Sequence, residues 1–186
     1  MNRSYEKEVI TQKSNELNKA SRAIHNWLVA RISNMIQLSR TPLVRRGDLE
    51  HLLPFLKEER KRLSFVYNNL FYILPDGRYW STEGGTGSME PPRFISDFSQ
   101  KNKLFFYDGP FIEHDHFSNS VLVAVPIIEK GRLISALAAT IPLPTFKRMI
   151  GYFTMEEFEK FMLVNPQSII IVHSDLELTG KSERGE

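Results

Sequence analysis

Cysteine is absent from the 186 residues, and that absence excludes a disulfide framework, thiolate zinc sites and a cysteine nucleophile. It leaves the compartment open, since exported domains without cysteine are common. No run of about 18 apolar residues occurs, so no segment reads as a bilayer-spanning helix. The first apolar residues are interrupted by Glu6, Lys7 and Glu8, and no secretory leader is expected there. A membrane anchor, if the natural protein has one, would lie outside this sequence. Charge of one sign is also lacking. The 24 basic and 22 acidic residues leave a net charge of +2. That is too small and too evenly spread for a nucleic-acid or membrane-surface footprint, so no nucleic-acid partner is expected.

What is present suits a soluble globular chain, with 41% apolar and 25% charged residues. A chain of this length buries roughly 70% of its unfolded surface and needs no staple. Residues 5–40 contain neither glycine nor proline, and Ile10, Leu17, Ile24, Leu28, Met35 and Leu38 recur near helical spacing. The pattern predicts one helix, stopped by Pro42 and roughly 50 Å long at 1.5 Å per residue. A second helix is expected from the Gly47-Asp48 turn to about Arg62, with Pro54 disturbing its first turns.

From Phe65 the texture changes to that of a sheet. Phe65–Leu74 and Tyr79–Thr82 flank Pro75-Asp76-Gly77-Arg78 and predict a hairpin. Residues 83–92 are rich in glycine and proline and read as a loop. A short helix follows at Ile95–Lys101, then strands at Leu104–Ile112, Ser120–Glu129 and Arg132–Leu143, the last two joined by a tight turn at Glu129-Lys130-Gly131. Pro144 opens a helix through Ile150 that Phe153–Lys160 extends, and a hairpin over Phe161–Val164 and Ser168–Val172 ends the pattern. Hairpin-linked strands with helices before and between them indicate an α+β fold with an antiparallel sheet.

The chemistry-bearing letters do not assemble into a catalytic pattern. Glu113-His114-Asp115-His116 puts four metal-ligand types together, but consecutive residues in an extended loop splay their side chains. Gly84–Ser88 resembles a phosphate cradle yet leads into Met89-Glu90-Pro91-Pro92 rather than a helix. Gly180-Lys181-Ser182 ends a P-loop that never begins, and His173-Ser174-Asp175 are neighbours that cannot form a relay. No catalytic residue, metal site or cofactor is expected, and the chain reads as a non-enzyme. A metal-dependent enzyme using His114 and His116 is the distant alternative.

The order of short motifs resembles the extracytoplasmic Cache sensor domains of bacterial membrane receptors, especially the double-lobed kind. The residues that carry the resemblance cover about 10–182. They are a long helix, a strand ending in Asp76-Gly77, a helix led by Arg93, the strands Ala124-Val125-Pro126-Ile127 and Gly131–Leu137, the segment Leu143–Ile150, and a closing stretch from Leu163 to Asp175. The resemblance implies a long N-terminal helix packed on a PAS-like antiparallel sheet of about five strands, with a partial second lobe. Residues 1–64 would form the long helix and a second helix, 65–150 the membrane-distal lobe, and 151–186 a linker helix and the truncated start of a membrane-proximal lobe.

By that resemblance the chain is the periplasmic sensing part of an inner-membrane signalling protein. It would pass small-molecule binding to a diguanylate cyclase, histidine kinase or chemotaxis module and dimerise through its long helix. A dimerising scaffold without ligand is the alternative. The amino-acid-binding pattern is only partly kept. Arg93-Phe94-Ile95-Ser96 retains just the arginine of its helix motif, and Thr140 stands where an acidic residue would meet an α-amino group. A buried ammonium there would lack its counter-ion, so an anionic or neutral ligand, such as a small carboxylate, is expected. The expected lining is Arg93, Ser96, Tyr107, Asp108, Phe111 and Thr140.

Overall fold

The computed structural model describes residues 3–101, 103–111, 120–153, 162–164 and 170–173. Helix α1 runs unbroken over Arg3–Ser39, 37 residues and about 55 Å, as the absence of glycine and proline predicts. Ile24, Trp27, Ile32, Met35 and Leu38 are buried, so the C-terminal half seats on the body. Pro42 ends α1 and serves at the first position of a short helix, α2 (Pro42–Arg46), where its missing N–H costs nothing. Helix α3 (Leu49–Arg62) contains Pro54 without being divided by it. Glu50, whose carbonyl loses the proline's N–H, is exposed, so water replaces the missing donor.

The main sheet has six antiparallel strands in the order β3-β2-β1-β6-β5-β4. Their spans are β1 Asn69–Ile73, β2 Arg78–Ser81, β3 Gly85–Ser88, β4 Phe106–Phe111, β5 Ser120–Glu129 and β6 Arg132–Pro142. The α+β antiparallel architecture matches the sequence pattern; β3 corrects it. Residues 85–88 pair with β2 as an edge strand inside the expected loop. Its glycine content serves this position, because a Cβ on Gly87 would lie 2.6 Å from the Tyr79 hydroxyl. Without side chains there, the Tyr79 ring lies over the edge strand. At the β5–β6 turn Lys130 and Gly131 both have positive φ, the primed geometry that suits two twisted strands.

Both central strands are apolar nearly throughout because both faces of the sheet are covered. Val121, Val123, Val125, Ile127, Leu137, Ala139 and Ile141 join the α1 side, where Trp27 meets Phe146 edge-on at 5.8 Å. Phe146 belongs to α5 (Leu143–Phe153). The alternate residues Leu122, Ala124, Ala136 and Ala138 face the other side, under α4 (Arg93–Lys101). A separate hairpin pairs β7 (Met162–Val164) with β8 (Ile170–His173).

Candidate ligand-binding site

Helix α4 explains why one half of its sheet face is closed. Phe94, Ile95 and Phe98 share one stripe and are buried, with the two phenyl rings 5.8 Å apart. Beneath them the strands present alanines at 124, 136 and 138, whose small side chains let the helix approach closely. Asp97 is buried on the same helix and accepts from the ammonium groups of Lys101 and Lys103, each at 2.7 Å. These two hydrogen bonds hold its carboxyl down at about 2, well below the usual carboxylate range. The ion pairs tie the helix to the segment that follows it.

The other half of the face is polar. Asn69 opens β1 and its Oδ1 accepts from Ser81 Oγ at 3.0 Å, from Thr82 Oγ1 at 2.8 Å and from the Glu83 N–H at 3.2 Å. Thr140 lies directly across from Asn69 on β6 and is buried. Its Oγ1 donates to Asn68 Oδ1 at 2.7 Å. The register continues through Leu122 to Asp108 on β4, so Asn69, Thr140, Leu122 and Asp108 occupy one cross-strand row.

Of the expected lining residues, Thr140 stands at the centre of this polar row. Tyr107, Asp108 and Phe111 lie on β4, opposite Val123, Leu122 and Ser120. Arg93 opens α4 and is exposed. Ser96 is exposed on the side of α4 away from Phe94 and Phe98, and its Oγ donates to the Arg93 carbonyl at 2.8 Å. The helical period puts residues two positions from Phe94 and Phe98 on the outer side. Sequence reading missed Asn68, Asn69 and Asp97. The only signal for the asparagines is a polar pair entering an apolar strand.

The other singled-out motifs have definite places. Gly85–Ser88 is a strand edge and not a phosphate cradle. Glu113–His116 and the segments 154–161 and 174–186 lie outside the described residues, so the metal-ligand motif, the helix extension and the P-loop ending do too. Among the described residues no group of three or more metal-ligating side chains converges. No helix there is long and apolar enough to cross a membrane.

No protein-family model and no curated protein matches the chain. Solved structures do. The ligand-binding domain of the Pseudomonas fluorescens chemoreceptor CtaA, in complex with L-isoleucine, superposes with a TM-score of 0.75 at 16% identity, covering 97% of this chain and 75% of that one. The corresponding domain of the Pseudomonas aeruginosa PAO1 amino acid chemoreceptor PctB, with L-Gln, gives 0.72 at 19% identity over 91% and 70%. The sensor domain of the V. cholerae histidine kinase DctB gives 0.69 at 10% identity over 95% and 70%. The chain has the Cache sensor-domain fold. At these identities the likeness is one of architecture. In that architecture the long helix backs one face of the sheet and α4 crosses the opposite face.

Proposed function

We propose that this chain is the extracytoplasmic small-molecule sensor of a transmembrane signalling protein, without catalysis of its own. The observation that carries the reading is a Cache-type sheet whose α4-side face carries a polar pair, half-buried Asn69 and buried Thr140, directly opposite each other on β1 and β6. Similar structures are the ligand-binding or sensor domains of chemoreceptors and a histidine kinase, which supports a sensor rather than an enzyme. The output module is a diguanylate cyclase, histidine kinase or chemotaxis domain. In this reading residues 65–150 sense, 1–64 transmit, and 151–186 are the linker helix and the start of a membrane-proximal lobe. The protein sits in the inner membrane with this part in the periplasm and dimerises through α1.

The ligand is a small carboxylate or neutral molecule rather than an α-amino acid. Thr140 has no negative charge to meet an ammonium group, and its hydroxyl is engaged by Asn68. In this reading Thr140 and the β4 positions of Tyr107, Asp108 and Phe111 border the site, with Arg93 at the rim and Ser96 exposed on the outer side of α4. An exposed Arg93 is a rim charge, so Arg93→Ala should weaken a carboxylate by about 1 kcal/mol rather than the 2–5 kcal/mol of a buried clamp. The test is a thermal-shift and calorimetric screen of small carboxylates and amino acids on the wild type and Arg93→Ala. A carboxylate bound several-fold more weakly by the variant supports the reading. A ligand that stabilises both equally removes Arg93 from the site, and tight binding of a free amino acid overturns the ligand class.

A further inference from the structure

A cleft lies where the end of β5 meets the C-terminus of α1, helix α2 and Leu104 of the segment after α4. Its volume is about 350 Å³. A dry apolar cavity of about 150 Å³ already accepts benzene, so this one is large enough for a longer organic ligand. Its floor is apolar, with Val125 and Ile127 packed beneath it in the core and half-buried Ile36 and Pro126 presenting the accessible surface. Its lips include Leu104, 74% exposed, and Ile128, 40% exposed, two large aliphatic side chains held in water beside the opening. Exposed apolar groups at a cleft are more informative than single ones on a convex surface.

Two guanidinium groups, Arg40 and Arg45, border the same cleft. Both residues are exposed, and among the described residues neither has an acidic partner within salt-bridge distance. Basic residues near helix C-termini are ordinary on their own. What distinguishes this pair is the apolar floor it borders. An apolar trough with two planar, permanently charged forks at its edge matches a molecule with a hydrocarbon body and one anionic end. We propose that this cleft binds an amphiphilic monocarboxylate of medium chain length, its tail on Ile36, Leu104 and Ile128 and its carboxylate on Arg40 and Arg45. The site is distinct from the α4 face of the sensing proposal and does not depend on it.

The experiment is isothermal titration of the purified chain with butanoate, hexanoate and octanoate, with octanol as an uncharged control and inorganic phosphate as a headgroup without a tail. Affinity should rise about tenfold for each two methylenes added. Octanoate should bind at least tenfold more tightly than octanol, and phosphate should not bind measurably. The double substitution Arg40→Gln with Arg45→Gln should abolish the preference for octanoate over octanol while leaving octanol affinity unchanged. Leu104→Glu, at an exposed lip, should weaken octanoate at least tenfold by repulsion. Arg93→Ala should change none of these values, which separates this cleft from the α4 face. Equal octanoate binding by the wild type and the double arginine variant would overturn the proposal. So would a loss of octanoate binding in Arg93→Ala as large as in the double variant, or affinity that does not depend on chain length.

Discussion

Asp97 is the residue whose chemistry is most sharply defined by its surroundings. Its side chain is 1% exposed and holds two ammonium groups at 2.7 Å. Its folded pKa of about 2 lies below the ordinary carboxylate value of about 3.9, so the folded state binds this proton less readily than the unfolded one. The resulting stability is present above about pH 4 and is lost as the pH falls through about 2. Asp97→Asn keeps one acceptor for one lysine but turns an amide N–H₂ toward the other. Thermal melts at neutral pH should therefore show a loss of about 1–2 kcal/mol. From pH 4 to 2 the gap between wild type and variant should close, and a gap that stays constant would show that the carboxylate's charge is not what stabilises α4. Tyr67 shows the same dependence on setting. Burial raises its phenol, and the hydroxyl donates to the Arg31 carbonyl of α1 at 3.1 Å.

At the scale of elements, α1 divides into two parts with different energetics. From Ile24 to Leu38 its buried side chains fill the space between sheet and α5, and Met35 is fully buried. Before Ile24, the residues of known exposure from Thr11 to Arg22 are all exposed. Met35→Ala should thus cost about 2–5 kcal/mol in chemical denaturation, through lost burial and the cavity left behind. Lys19→Ala should change stability by less than about 0.5 kcal/mol. Equal effects would mean that the helix seats along its whole length. Helix α4 follows a complementary rule, since its apolar stripe was visible in Phe94, Ile95 and Phe98 but its seat was not. The alanines beneath it come from two strands some 12 residues apart along the chain, and only the β5–β6 register brings Ala124 beside Ala138.

For the whole molecule, a 37-residue helix about 55 Å long outruns the longest strand of the sheet, 11 residues, and this surplus length is the physical case for a second copy alongside it. Sedimentation equilibrium should give a dimer for the full chain and a monomer after deletion of residues 1–19. At high dilution the deletion should leave Ile24–Leu38 seated and the melting temperature nearly unchanged. A full chain that stays monomeric at millimolar concentration would remove α1 as the dimer interface.

The sequence by itself determined the elements whose signals are local. The unbroken α1 follows from 36 residues without glycine or proline, the β1–β2 and β5–β6 hairpins from their turn residues, and the α+β class from their order. Thr140 was singled out through the family resemblance, as the position where an acidic residue would meet an α-amino group. Tertiary structure decided whatever depends on pairing across distance. The glycines of 85–88 read as a loop because glycine has no strand preference of its own, yet the Tyr79 ring lies against Gly87 of the paired strand, where a Cβ would collide with it. Ser96 was placed in the lining by its nearness to Arg93 in sequence. The helical period turned it outward, and the hydrophobic stripe of Phe94 and Phe98 fixed which side is outward. Asn68 and Asn69 became the partners of Thr140 and Ser81 only when β1 settled between β2 and β6, since a hydrogen bond spanning 72 residues leaves no local trace in the chain.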